Sequence, residues 1–335
     1  MLRNSSRAVA WLVMGLFVLA LMGRARGEQG GGAPPPEFGQ LGNTTGELRF
    51  ARGEQTIPAG GHFQGIQLRF DAATHRHLAF LSHDSLTVAY LAVVEFPESL
   101  DRPGQVLAVH EFPSDGRSPP LRHAGGIQLC GDILAVGLED NQLKTRSEVQ
   151  FWNAADPLKF AQLAHLTIKR EGAPKEKTAG AVGLVKRERD HLLAVANWDS
   201  RDVDFYVSNG RPPADAECRF ELAEHWSAKS AATGQWRPDD RFGAYQAINL
   251  MAAGERMFLI GFESRTPGGD VADLFELDVA AGPARLLTKV ASKSVRLTAG
   301  SHFQAAGGLW ASDRGWAMLA APHAFAPEVV LNLVR

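Results

Sequence analysis

His62-Phe-Gln-Gly-Ile-Gln-Leu68 returns along the chain as His123-Ala-Gly-Gly-Ile-Gln-Leu129, Thr178-Ala-Gly-Ala-Val-Gly-Leu184, Ala244-Tyr-Gln-Ala-Ile-Asn-Leu250 and His302-Phe-Gln-Ala-Ala-Gly-Gly308. These five segments start 61, 55, 66 and 58 residues apart. A unit near that length is too long for a helical hairpin and suits four short strands with generous loops. Paired glycines at 125–126 and 307–308 argue further against helix, where each costs about 1 kcal/mol relative to alanine. Small residues fit innermost strands instead, where sheets converge and backbones approach closely.

Each segment is followed by a second apolar run: His77–His83, Ile133–Glu139, Leu192–Trp198, Met257–Glu263 and Trp316–Pro322. Short, nearly unbroken apolar runs describe strands covered on both faces. A third set alternates, as in Val149–Trp152 and Val203–Tyr206, and a fourth comprises Val106–Phe112, Phe160–Ile168 and Arg219–Ala223. Four strands per unit and five units predict an all-β chain folded as a five-bladed β-propeller. After His302 the chain has room for only three strands, whereas Gly46–Arg52 is a strand-like run standing alone before the first repeat. It is expected to serve as the outer strand of the fifth blade and close the ring.

The run Gly-Gly-Ile-Gln-Leu-Cys-Gly-Asp-Ile-Leu-Ala-Val from Gly125, followed by Glu148-Val-Gln-Phe-Trp-Asn-Ala-Ala-Asp-Pro157, resembles exported bacterial propellers built of LVIVD-like repeats. The resemblance implies the fold and export, and it brings no catalytic motif with it.

The N-terminus agrees with export. Arg3 and Arg7 precede an apolar run from Ala8 to Gly23, and Ala25 and Gly27 are small residues suited to cleavage. Residues 1–27 read as a signal peptide, 28–42 as a flexible Gly/Pro linker and 43–335 as a single propeller domain. The expected location is periplasmic or secreted, with membrane contact only through the signal segment if it stays uncleaved. With 35 Lys+Arg against 37 Asp+Glu, the chain lacks the basic field that draws proteins to nucleic acid. Its two cysteines, Cys130 and Cys218, fall on an innermost and an outermost strand of successive blades. That separation exceeds the reach of a disulfide and predicts two free thiols.

Strand direction places the candidate chemistry. Strand one starts, and the antiparallel strand two ends, at the same face of the ring. The starts carry His62, Gln64, Arg122, His123, Thr178, Tyr245, Gln246, His302 and Gln304. The ends carry His83, Asp84, Glu139, Asp140, Trp198, Asp199, Glu263 and His323. The connection through Trp236, Arg237, Asp239 and Asp240 is expected to reach this rim too. His62, His123 and His302 share one repeat position in three neighbouring blades, so they are candidate ligands of a divalent metal, with Glu139 or Glu263 completing the site. The alternative is that these side chains cap the open edges of inner strands. Two carboxylates, Glu139 with Glu263 or Asp140 with Asp199, would suit glycosidic-bond cleavage. Trp198, Trp226, Trp236 and Tyr245 would stack on a sugar or pack as core. The sequence thus points to an exported binding or scaffold module holding a small molecule, glycan or peptide at the channel mouth. The alternative is a hydrolase or lyase using the same face.

Overall fold

The computed structural model describes residues 33–335 except 44, 230–240, 266–268, 280–281, 283–284 and 313–314. The expected export signal therefore lies outside the described residues. A short helix, α1 (Pro36–Gln40), precedes β1 (Thr45–Ala51). Blade 1 comprises β2 (Phe63–Asp71), β3 (Arg76–His83), β4 (Tyr90–Pro97) and β5 (Gly104–Glu111). Blade 2 comprises β6 (His123–Cys130), β7 (Ile133–Glu139), β8 (Arg146–Asn153), the fragment β9 (Ala161–Gln162) and β10 (Ile168–Glu171). Blade 3 is β11 (Ala181–Lys186), β12 (His191–Ala196), β13 (Asp202–Ser208) and β14 (Phe220–Ser227), and blade 4 is β15 (Ala247–Ala253), β16 (Arg256–Arg265), β17 (Gly269–Leu277) and β18 (Leu287–Val295). β19 (Ser301–Ser312), β20 (Gly315–Pro322) and β21 (Glu328–Val334) complete the chain.

Blade 5 is finished by the other end of the molecule, as Gly46–Arg52 predicts. β1 pairs antiparallel with β21 over seven residues, from Thr45 opposite Val334 to Ala51 opposite Glu328. Three parallel pairings, Phe50 with Gly104, Ala51 with Gln105 and Gly307 with Gly65, then join blade 5 to blade 1. Those eight strands form one closed path.

The near-continuous apolar runs follow from packing on both faces. Among the described residues, a hydrophobic cluster fills each of the five junctions between blades. Along β7, Leu134 and Val136 face blade 1 while Ala135 faces blade 3. Each large side chain so buried contributes about 1.5–3 kcal/mol. At the axis the inner strands leave no room for side chains at certain positions. A Cβ on Gly308 would overlap the Ile66 carbonyl oxygen, and one on Gly137 would overlap that of Ala179.

Two expectations need correction. The outer strand of blade 2 is not the run Phe160–Ile168; the chain there makes β9, a 3₁₀ turn at Ala164–Leu166 and then β10, which pairs with β8. Only Leu166 of that turn is buried, so its apolar content serves a turn rather than a strand. The described part of the Gly/Pro-rich lead-in, residues 33–42, is held by contacts with the propeller. Its two large apolar side chains, Phe38 and Leu41, are buried in the cluster between blades 4 and 5, and Gly42 N–H donates to the Arg335 carbonyl (2.6 Å). Both cysteines are free, as expected.

Candidate functional site

Halfway along its axis the ring is closed by amide side chains. Gln128 Oε1 accepts the backbone N–H groups of Leu184 (2.8 Å) and Leu250 (2.7 Å), and its Nε2 donates to the Leu250 carbonyl (2.6 Å). Asn249 Oδ1 accepts from Gln67 Nε2 (3.1 Å) and from Leu309 N–H (2.7 Å). Gln67, Gln128 and Asn249 occupy the sixth position of the repeat, where blades 3 and 5 have Gly183 and Gly307. Buried edge groups of inner strands require partners, and three blades supply them with a side chain. In the sequence the signal is an amide recurring directly after Ile, in the interior of the repeat rather than at the rim.

At the mouth formed by the strand starts lies a narrow pocket of about 10 Å³, lined by Gln64, His123, Glu139, Gly180, Asn197, Trp198, Asp199, Tyr245 and Gln246. Four blades contribute to it. A bulge at Gln64 in blade 1 and another at Gly125–Gly126 in blade 2 splay the first residues of the inner strands. Gln64 Nε2 consequently stands 2.6 Å from His62 Nδ1 and 2.9 Å from His123 Nε2. Behind His123, its Nδ1 is 3.1 Å from Glu139 Oε1, a pair buried to 4% and 0% exposure. Neither atom has an aligned hydrogen bond. The other oxygen, Glu139 Oε2, accepts Ala179 N–H at 2.8 Å, a contact made accessible by the bare Cα of Gly137. Trp198 stacks beside His123 (5.8 Å, 28°), and the Lys144 ammonium lies 3.8 Å over the indole. Lys144, a contact outside the repeats, was not foreseen.

Beside this pocket His62 meets His323 (ring centres 4.5 Å apart) and His123 (5.8 Å). Its backbone N–H donates to Asp84 Oδ1 (2.5 Å), while Asp84 N–H returns to the His62 carbonyl (3.2 Å). Ligand atoms of His62, Asp84 and His123 all lie within 4.8 Å of one another. His302 is not part of that group: its ring is 6.5 Å from His323, and its Nδ1 accepts the N–H of Ala305. Burial lowers the pKa of both His302 and His323, with smaller opposing effects from nearby carboxylates.

Several other rim candidates have structural duties. His83 is buried between Phe63 and Tyr90, and burial brings its pKa down to about 4. Asp140 accepts from the N–H groups of Leu143, Lys144, Thr145 and Arg146. Burial works to raise its pKa, but those backbone donors outweigh it and the carboxyl titrates below its ordinary value. Glu263 accepts Ala244 N–H (3.0 Å) and pairs with Arg241 (3.0 Å) and Arg265. Tyr245, 1% exposed, donates to Asp273 (2.6 Å); burial first and Asp273 second push its pKa well above the usual tyrosine value. Trp226 is core. Arg122, Gln304 and His323 are exposed at the rim, with Arg122 donating to the Leu86 carbonyl. Trp236, Arg237, Asp239 and Asp240 lie outside the described residues.

Solved structures share this architecture. The chain superimposes on a GH43 β-xylosidase/α-arabinofuranosidase from a compost microbial metagenome, solved in complex with xylotriose, at a TM-score of 0.50, with 10% identity over 85% of this chain and 94% of that one. For the catalytic domain of a Coprinopsis cinerea GH62 α-L-arabinofuranosidase the TM-score is 0.50, with 9% identity over 87% and 96%. A GH130 structure, described within a family of mannoside phosphorylases and of glycoside hydrolases targeting β-1,2-mannosidic linkages in Candida mannan, gives 0.52, with 6% identity over 82% and 84%. At such identities the likeness is one of fold, and the chain is a five-bladed β-propeller. Compared with protein-family models and with curated proteins, it matches none.

Proposed function

We propose that this propeller is an exported binding protein that binds a carbohydrate across the mouth where Gln64, His123, Trp198 and Gln246 gather. The observation supporting this reading is the convergence, from four blades, of amide, imidazole, carboxylate and indole groups on one mouth of the ring. Amides present donors and acceptors together, as sugar hydroxyls demand, and an indole offers an apolar face beside them. Similarly folded proteins include one solved with xylotriose, which supports a glycan as the class of ligand to try first. Export rests on the N-terminal charge and apolar pattern, and kinship to LVIVD-like secreted propellers on residues 125–157.

A hydrolase is the second reading, favoured by Glu139 and Asp199 sharing the pocket. Calorimetric titration with xylotriose, arabinotriose and mannotriose tests the first. Binding is expected with at least one of them and should weaken about tenfold or more in Gln64→Ala and Trp198→Ala, through lost hydrogen bonding and stacking. No heat with any of the three, or heat unaffected by both substitutions, overturns it. Release of reducing ends during the same titrations would favour the hydrolase.

A further inference from the structure

Gln64 Nε2 lies over the His62 ring, 2.6 Å and 3.1 Å from its two nitrogens, and 2.9 Å from His123 Nε2, so imidazoles of two blades gather about one amide. Asp84 brings a carboxylate to the same place, its Oδ2 3.9 Å from His62 Nε2. The His62 and Asp84 backbones are tied to each other by reciprocal contacts, which fixes where both side chains emerge. We propose that His62, Asp84 and His123 bind one divalent transition-metal ion of the zinc class at this mouth. Two imidazoles and a carboxylate are a donor set that such ions accept, with the fourth position left to water or the Gln64 amide oxygen.

The geometry requires little movement. Ligands about 2.1 Å from a tetrahedral ion stand about 3.4 Å apart, and the three groups begin within 4.8 Å. The Gln64 amide must turn or step aside. Behind His123, the buried Glu139 carboxylate is 3.1 Å from Nδ1, and a small turn of the ring would align the Nδ1 proton with it and leave Nε2 to the metal, as carboxylates behind metal-bound imidazoles do. Calcium, which takes six to eight oxygens, is a poor match for two imidazoles. This site does not depend on the glycan reading, since it needs only these side chains; metal without glycan and glycan without metal are both separable results.

Zinc titrated calorimetrically into chelator-treated protein provides the test. One ion per chain is expected, with affinity reduced about 100-fold or more in His62→Ala and in His123→Ala and unchanged in His302→Ala. Cobalt in place of zinc should give visible absorption that is lost in the same two variants, and calcium should give no heat. The His62 side chain is 29% exposed, so its removal should spare the fold, and that variant decides the matter if His123→Ala melts early. Absence of zinc binding, or equal binding by His62→Ala and the parent protein, overturns the proposal.

Discussion

Glu139 and Glu263 lie at or near the ends of the second strands of blades 2 and 4, and each accepts a backbone N–H just before an inner strand, from Ala179 and from Ala244. Both are at most 2% exposed. They differ in what neutralises them. Glu263 has two arginines, and Asp273 nearby has Arg265 and Lys289. Among the described residues, Glu139 has His123, a cation only when it takes up a proton. A carboxylate beside permanent cations is committed to holding blades together. One beside an imidazole can direct a proton on that ring, and so belongs to a site. The same strand position therefore carries framework in blade 4 and candidate chemistry in blade 2.

The largest effect should come from removing the framework carboxylate. Glu263→Ala leaves the Ala244 N–H without this partner and takes one of two carboxylates from Arg265, which keeps Asp273, a loss of about 2–4 kcal/mol from a buried donor and charged hydrogen bonds. For a chain of this size the melting midpoint should fall by roughly 5–15 °C. A midpoint within 2 °C of the parent, about the shift 1 kcal/mol would cause, would erase the distinction between the two glutamates.

How much of this was legible beforehand depends on what the repeat encodes. Blade number, strand order and ring closure were readable because each inner strand must be small, apolar and buried on both faces, constraints that recur with the blade. Side-chain direction at the strand heads was not. The inner strand of blade 1 bulges by Gln64 alone, that of blade 2 by two glycines, while in blade 5 the register jumps between Ser301 and Ala306 and places His302 in a looped-out stretch. Equivalent letters in the repeat thus emerge in different directions, which is why His62 and His123 meet while His302 bonds its own loop. Nor could spacing separate Glu139 from Glu263. Arg241 stands in a connection outside the repeat, and the partner set of a buried carboxylate is a tertiary fact.

Acid should sharpen the contrast by an intermediate amount. Asp204, on β13, belongs with the committed carboxylates: Arg170 and Lys177 are each 2.8 Å away and His225 2.6 Å. Burial opposes its charge, yet hydrogen bonds from Lys177, Arg170 and His225 bring its pKa to about 2. Because the folded value lies below the ordinary 3.8, its contribution is fully present above pH 3.8 and is lost as pH falls towards 2. The amount is about 2 kcal/mol. Urea unfolding at pH 5, 3.5 and 2.5 should show a shallower acid limb in Asp204→Asn; parallel limbs would remove this carboxylate from the committed set.

The smallest effect on stability, and the most telling about function, is expected from Glu139→Gln. Glutamine keeps the shape and an oxygen to accept the Ala179 N–H, and no arginine is orphaned, so the stability change should stay within about 1 kcal/mol. Control over the His123 proton is what the exchange removes: an amide oxygen is a weaker acceptor for the Nδ1 proton than a carboxylate, and an amide nitrogen turned towards it would favour the wrong tautomer. Zinc affinity should therefore fall 10- to 100-fold, as it does when a carboxylate behind a metal-bound imidazole is lost, with little change in melting temperature of the metal-free protein. The two measurements must be read together. Reduced affinity with an unchanged apo midpoint assigns Glu139 to the site, whereas a midpoint falling as far as in Glu263→Ala would make it a second framework carboxylate and return His123 to a role as a strand cap.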